Sequence, residues 1–135
     1  MTTLVDSNNK PIAYLYNNKI LDEKNMEVIG ITLGDVVFGE SGFPRGKIFD
    51  RTLYALSGEI VAMEVELENV PPFDALAALF EGWKILEKVK DHSIPWVHAT
   101  STWLSVDLRT FLSAQEAVVR VLRSSKKASE RKFSV

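Results

Sequence analysis

The sequence predicts an α+β protein, in which four pseudo-repeated β-hairpins surround a pseudo-fourfold axis and a helix-strand-helix segment follows. Three observations lead to this prediction: a 16-residue unit that recurs four times, a small residue at one equivalent place in each unit, and helix-forming sequence after a pair of prolines. Self-similarity at a fixed step is typical of repeat architectures.

The repeat extends over residues 4–67. Each unit has an apolar pair, a polar turn, a second apolar stretch and a tight polar link such as Asn17-Asn18. Asn, Gly, Asp and Ser favour chain reversal, whereas the β-branched and aromatic residues between them favour strands. The sequence therefore predicts eight short strands in four hairpins. The apolar pairs recur every 16 residues, as Leu4-Val5, Ile20-Leu21, Val36-Val37 and Thr52-Leu53.

Small residues occupy one equivalent place in all four units. Around a fourfold axis, each such residue would be crowded by three copies of itself, and only a small side chain would fit. The alternative is that these positions are bulges or tapered packing sites. The residues are Ala13, Gly30, Gly46 and Ala62.

Units of this length, with a turn Gly or Asn and a following small residue, resemble the four-fold beta-flower family of small bacterial proteins. The resemblance covers residues 4–67. The chain departs from the pattern at Asn9 and Asn25, which replace the turn Gly, and at Phe43-Pro44 in the third unit. The resemblance implies four hairpins fanned around a central axis, and it carries over no activity and no catalytic residue.

The last strand of the repeat shows a two-residue alternation. Such a period places one set of side chains in a core and the other in water. We expect the acidic set to form a solvated edge that resists aggregation. The core set is Val61, Met63, Val65 and Leu67, and the other set is Ala62, Glu64, Glu66 and Glu68.

We divide the chain into a four-fold β-hairpin repeat over residues 1–68, a Pro-containing linker over 69–72, an α/β segment over 73–125 that packs on the repeat, and a basic tail over 126–135 that we expect to fray. In the third region, good helix formers predict a helix from about Phe73 to Lys90. Alternating apolar residues predict a strand over Trp103 to Leu112. Ser113 then begins a capping box, which predicts a second helix.

Composition limits the function classes. The 135 residues contain no cysteine, which excludes disulfides and thiolate metal sites. Met1-Thr2-Thr3 lacks the features of a signal peptide, and no apolar run would span a bilayer, so we expect a cytoplasmic protein without membrane contact. Residues 1–68 carry 6 Lys/Arg against 11 Asp/Glu, and residues 69–135 carry 10 against 7. We do not expect nucleic-acid binding, because the acidic half would repel phosphates.

No stretch has a catalytic signature. His92 and His98 could supply two metal ligands, but the sequence offers no third at a suitable spacing. The segment Gly42 to Ile48 has three residues between its glycines and no hydroxyl after Lys47, so it is not a phosphate loop. We expect no cofactor, no metal and no catalysis.

Two hypotheses for function remain. The first is a non-catalytic binding or assembly module that forms a homo-oligomer, or binds an unidentified protein, through a surface containing Phe80 or Trp83. The second is a small-ligand-binding protein or enzyme with an aromatic and histidine pocket between the two halves. The candidate pocket residues are Trp83, His92, Trp96, His98 and Trp103.

Overall fold

The predicted eight strands and the first predicted helix are confirmed. A computed structural model describes residues 1–90, 94 and 96–113. The strands are β1 (Thr2–Val5), β2 (Pro11–Tyr16), β3 (Lys19–Asp22), β4 (Val28–Leu33), β5 (Val36–Gly39), β6 (Pro44–Phe49), β7 (Thr52–Ala55) and β8 (Ile60–Glu66). Two helices follow, α1 (Ala75–Lys88) and α2 (Leu108–Ser113).

The strands form a closed antiparallel barrel. Each strand pairs with the next along the chain, and β8 returns to β1, with Thr3 opposite Val65. The prediction that β8 forms a solvated edge is therefore wrong, because β8 is hydrogen-bonded to β7 on one side and to β1 on the other. The core set was also assigned incorrectly, except for Val61, which is buried in the barrel core. Ala62 is fully buried whereas Met63 is 41% exposed, since it is Ala62 that joins the barrel core.

The repeat is visible in the register of the barrel. Bulges fall after Leu4, Ile20, Val37 and Leu53, and all four of these residues are fully buried. The third and fourth units therefore start one residue later than the sequence suggested, and the steps are 16, 17 and 16. Opposite these four lie the predicted small residues, in the pairs Leu4↔Ala13, Ile20↔Gly30, Val37↔Gly46 and Leu53↔Ala62.

The hairpin turns explain the irregular step. In each turn, a residue with positive φ donates its N–H to the carbonyl oxygen of a residue at the end of the preceding strand or, in the first turn, directly after it. In the second turn that residue is Met26 (φ 60°), and not Asn25 as expected. Met26 lies four residues after its acceptor, Asp22, whereas the other three turns span three residues. One inserted residue in this turn thus accounts for the step of 17.

Apolar residues form two clusters. The first draws on strands all round the barrel and includes Leu108, Phe111 and Leu112 of α2. It therefore fills the interior, and α2 closes one end. The second cluster lies on the outer surface, where Ala78 and Ile85 of α1 pack against residues of β3, β4 and β5.

The predicted strand over Trp103 to Leu112 is wrong. Trp103 makes one isolated parallel bridge, to Ile60, and the chain then turns into α2. The carboxylate of Asp107 accepts the Thr110 N–H and so favours a helix start there. Ser113 belongs to α2 and is the last of the described residues, so the capping box that it was predicted to begin stays a prediction. Its hydroxyl donates to the Thr110 carbonyl oxygen. The second predicted helix and the basic tail lie outside the described residues.

Candidate functional site

Helix α1 buries Ala78, Gly82 and Ile85 against the barrel and leaves several of its larger apolar residues exposed to solvent. Gly82 allows this close approach, since a Cβ there would lie 3.1 Å from Cε of Lys19. On the opposite side, four large apolar residues form what we call the outer stripe: Leu76 (62% exposed), Phe80 (50%), Trp83 (52%) and Leu86 (43%).

The centre of the outer stripe is aromatic. The rings of Phe80 and Trp83, three residues apart on the helix, make an edge contact with a centroid distance of 5.6 Å. Beside Trp83 is a shallow groove of about 180 Å³ between α1 and the barrel. The outer stripe and this groove together form an apolar surface that is ridged and not flat. Such a surface is typical of protein–protein contacts. The groove is lined by Asn17, Asn18, Lys19, Ile31, Thr32, Leu33, Leu79, Gly82, Trp83 and Leu86.

The two halves of α1 differ in charge. Asp74 caps the helix by accepting the Ala77 N–H at 3.0 Å, and Glu81 is the only other acid before the midpoint. The second half carries Lys84 and Lys88 with one acid, Glu87. Glu81 also pairs with Lys84 along the helix surface at 3.6 Å. An acidic N-terminal half and a basic C-terminal half are complementary to the same helix running in the opposite direction.

A larger cavity of about 730 Å³ lies at the end of the barrel, and we call it the end cavity. It is bounded by the first two hairpin turns and by the segment that leads into α2. These parts are distant in the sequence, and only the tertiary fold brings them together. Its lining consists of Asp6, Ser7, Lys10, Pro11, Ile12, Asp22, Glu23, Lys24, Asn25, Ile29, Val61, Trp103, Leu104, Ser105, Val106, Asp107, Leu108 and Arg109.

An ion pair holds the segment before α2 against the second hairpin. Arg109 contacts the buried carboxylate of Asp22 through one terminal nitrogen, and Glu27 at 3.8 Å through the other. The other oxygen of Asp22 accepts the Lys24 N–H. Because Asp22 is mostly shielded from water, this contact is screened less than the exposed contact with Glu27. It fixes one wall of the end cavity.

The sequence-predicted pocket residues lie in different places. Trp83 lines the groove beside α1, whereas Trp103 lines the end cavity. Trp96 is 76% exposed, and the ammonium of Lys47 lies 5.7 Å from its ring centroid. His98 is exposed, and its backbone packs against Gly58. His92 lies outside the described residues, so the five-residue pocket stays a prediction.

Comparison with family models, with curated proteins and with solved structures finds no match to this chain. Its function must therefore be argued from its own geometry. Within the described ranges, no group of three or more His, Cys, Asp or Glu side chains could hold a metal ion. No helix in the described part of the chain is long and apolar enough to cross a membrane.

Proposed function

We propose that the protein is a non-catalytic assembly module that self-associates through the outer stripe of α1. The observation that supports this is the orientation of the helix. Leu76, Phe80 and Trp83 point away from the barrel, although burying them would stabilise the fold. A helix that leaves two aromatic residues and a leucine exposed on the side away from its own domain is arranged for a second contact.

A second copy of the chain is the occupant that fits the stripe. All eight strands are paired on both sides, so the barrel offers no edge to which another chain could add a strand. The outer stripe is the surface on which four exposed large apolar residues share one element. A symmetric dimer uses the same patch twice, and Phe80 of one copy would meet Trp83 of the other if the helices ran antiparallel.

Charge favours the antiparallel arrangement. At about 100° per residue, Glu81, Lys84 and Lys88 lie along one flank of the outer stripe. With a twofold axis between residues 81 and 82, Glu81 of each helix approaches Lys84 of the other, and the helix dipoles oppose one another. A parallel pair would lack both interactions.

The size of the stripe indicates a reversible dimer. Half-exposed aromatic residues leave roughly 75–125 Å² each, given total areas of about 150–250 Å². Together with the two leucines, the patch lies below the ~800 Å² per partner that is typical of stable complexes. A contact of this size is typical of weak, reversible association.

Sedimentation velocity over a range of concentrations tests the proposal. The wild-type protein should show a monomer–dimer equilibrium, and Trp83→Ala should shift it toward monomer by at least tenfold in the dissociation constant. Trp96→Ala is the matched control, because Trp96 is a more exposed tryptophan outside α1. A wild-type protein that stays monomeric at every concentration would overturn the proposal.

Disulfide cross-linking tests the orientation. The chain has no native cysteine, so introduced pairs can be assigned without ambiguity. In a mixture of Leu76→Cys and Glu87→Cys proteins, an antiparallel pair should give the mixed disulfide in preference to either homodimer. Predominant cross-linking between two copies of Leu76→Cys would indicate parallel helices.

We further infer that the barrel consists of four copies of one hairpin around a pseudo-fourfold axis, as in the beta-flower family that the sequence resembles. The support is the recurrence of the bulge and of the turn hydrogen bond in all four hairpins. The third hairpin keeps the bond despite Phe43-Pro44, with the Gly42 N–H donating to the Gly39 carbonyl oxygen at 3.0 Å. An experimental structure tests this inference, because the four hairpins should superimpose by successive quarter turns.

A further inference from the structure

The first two hairpin turns carry an aspartate at the same place. In both turns, the backbone carbonyl oxygen of this aspartate accepts the turn hydrogen bond. In both, the side-chain Oδ1 accepts the N–H of the residue two positions later, which is Asn8 in the first turn and Lys24 in the second. Asp6 and Asp22 are therefore equivalent in their backbone and in their side-chain contacts.

The two aspartates differ at their second carboxylate oxygen. Oδ2 of Asp22 accepts a hydrogen bond from the guanidinium of Arg109. In Asp6, the bonds from the N–H groups of Asn8 and Lys10, each 2.9 Å long, both end on Oδ1. Asp6 is half-buried and lines the end cavity, and within the described part of the chain it makes no ion pair. Its Oδ2 thus keeps the acceptor capacity that Arg109 uses on Asp22.

The charges around the end cavity favour a cation. Once Asp22 and Arg109 are counted as a pair, three carboxylates and two ammonium groups of the lining remain without an ion pair to the described residues. Two of these carboxylates are half-buried, whereas both lysines are exposed and can extend their ammonium groups into water, where their charge is screened. The half-buried acids are Asp6 and Glu23, the third acid is Asp107, and the lysines are Lys10 and Lys24.

The rest of the lining suits a small molecule with a hydrocarbon part. Ile12, Ile29, Val61 and Leu104 give the cavity an apolar floor, and Trp103 adds an indole ring. Indole binds hydrocarbon by burial and is the aromatic ring that attracts a cation most strongly. At about 730 Å³, the cavity lies within the range of ~300–1,000 Å³ that small-molecule sites occupy.

We propose that the end cavity binds a small organic cation with an apolar body, whose guanidinium or ammonium group binds Asp6 as Arg109 binds Asp22. Oδ2 of Asp6 accepts a charge-assisted hydrogen bond from the ligand, and the nearby Glu23 carboxylate adds attraction. The hydrocarbon part lies against Trp103 and the apolar floor. This site is separate from α1, so it does not depend on self-association.

Hexylguanidinium, 1-hexanol and hexanoate are suitable probes, because they share a chain and differ in charge. Trp103 is the sole tryptophan in the variant Trp83→Phe/Trp96→Phe, since the chain has three tryptophans. Hexylguanidinium should change the Trp103 fluorescence in a saturable manner, and it should bind more tightly than 1-hexanol and hexanoate. Fluorescence that hexylguanidinium does not change, or equal affinities for the three probes, would refute the proposal.

Asp6→Asn in the same background locates the cationic group. Asparagine keeps an acceptor oxygen for the turn N–H groups and removes the charge. The variant should bind hexylguanidinium about tenfold more weakly, which corresponds to about 1.4 kcal/mol, and should bind 1-hexanol as before. Asp50→Asn is the matched control, since Asp50 is an exposed acid outside the cavity. An equal loss of affinity in the two variants would show that net charge and not this cavity governs binding.

Lysine variants give a test of opposite sign. Lys10→Ala/Lys24→Ala removes the two ammonium groups at the cavity and should tighten hexylguanidinium binding severalfold. Lys84→Ala/Lys90→Ala removes the same charge outside the cavity and should have little effect. If Lys10→Ala/Lys24→Ala leaves the affinity unchanged or lowers it, the ligand group at Asp6 is not a cation and the proposal is wrong.

Discussion

Gly46 provides a direct test of the small-residue position that recurs in every hairpin. It pairs with Val37 on one side and with Ala55 on the other, so its strand is fixed at both edges. A Cβ at Gly46 would lie 2.1 Å from the Tyr54 carbonyl oxygen and 3.1 Å from the Tyr54 carbonyl carbon. We therefore expect Gly46→Ala to be destabilising, even though it adds only one methyl group.

The magnitude follows from the displacement that the methyl group requires. Contacts of a Cβ below 3.0 Å essentially do not occur, so the Tyr54 carbonyl must move by about 0.9 Å. That carbonyl belongs to a strand of a closed barrel that is hydrogen-bonded on both sides. A displacement of this size typically lowers the free energy of unfolding by ~1–3 kcal/mol. Gly30→Ala is the graded comparison. Its Cβ would meet the Phe38 carbonyl oxygen at 2.7 Å, so a shift of about 0.3 Å suffices and the cost should be smaller.

Urea denaturation measures both variants. Gly46→Ala should lower the midpoint more than Gly30→Ala, while the slope with denaturant stays unchanged because the barrel still unfolds as one unit. Equal stability of the wild type and Gly46→Ala would refute the reasoning. A larger loss for Gly30→Ala would show that some interaction other than this contact determines the cost.

Three further substitutions test single interactions. Asp74→Ala should cost about 1 kcal/mol in free energy of unfolding through loss of the α1 cap, while Asp74→Asn should be nearly neutral; equal effects would contradict the cap. Arg51 has φ 57°, and glycine there relieves a backbone strain of ~1–2 kcal/mol. Arg51→Gly should therefore have a higher melting temperature than Arg51→Ala, since both variants lose the exposed ion pair with Glu66 and differ only in that strain. In Gly39→Ala, the added Cβ would lie 1.8 Å from the Leu112 carbonyl oxygen and would displace α2. Hydrogen exchange at the Leu53 amide, inside the barrel, should therefore become faster. An unchanged exchange rate would show that α2 does not close the end of the barrel.

Local signals were sufficient for the strands. Each strand is short and bounded by a turn whose residues tolerate positive φ, as at Asn17 and Asn18 (φ 45° and 67°). At Gly30 and Gly46 the paired strand limits the space, since a Cβ would meet the Phe38 or the Tyr54 carbonyl oxygen; crowding by equivalent residues around an axis stays a prediction. The inserted residue before Met26 was missed, since both Asn25 and Met26 occur in a turn and asparagine is the more frequent residue at positive φ.

The first helix was predictable in position but not in orientation. Its composition gives apolar residues on more than one side, and Ala78 with Gly82 could as well have faced solvent. Only packing against β4 selects the small face, since the small residues let the helix approach the barrel closely. The outer stripe, and with it the surface proposed for self-association, follows from that choice.

The sequence alone determined the hairpins, because each depends on contacts between residues close in the chain. The tertiary structure decided the rest. Closure of β8 onto β1 joins residues about sixty positions apart, and the Asp22–Arg109 pair joins residues 87 positions apart. No local pattern encodes such distances. The segment after Trp103 alternates like a strand, yet it forms α2, because its pairing with the barrel is limited to the bridge between Trp103 and Ile60, and the end of the barrel offers buried apolar surface to Leu108 and Leu112.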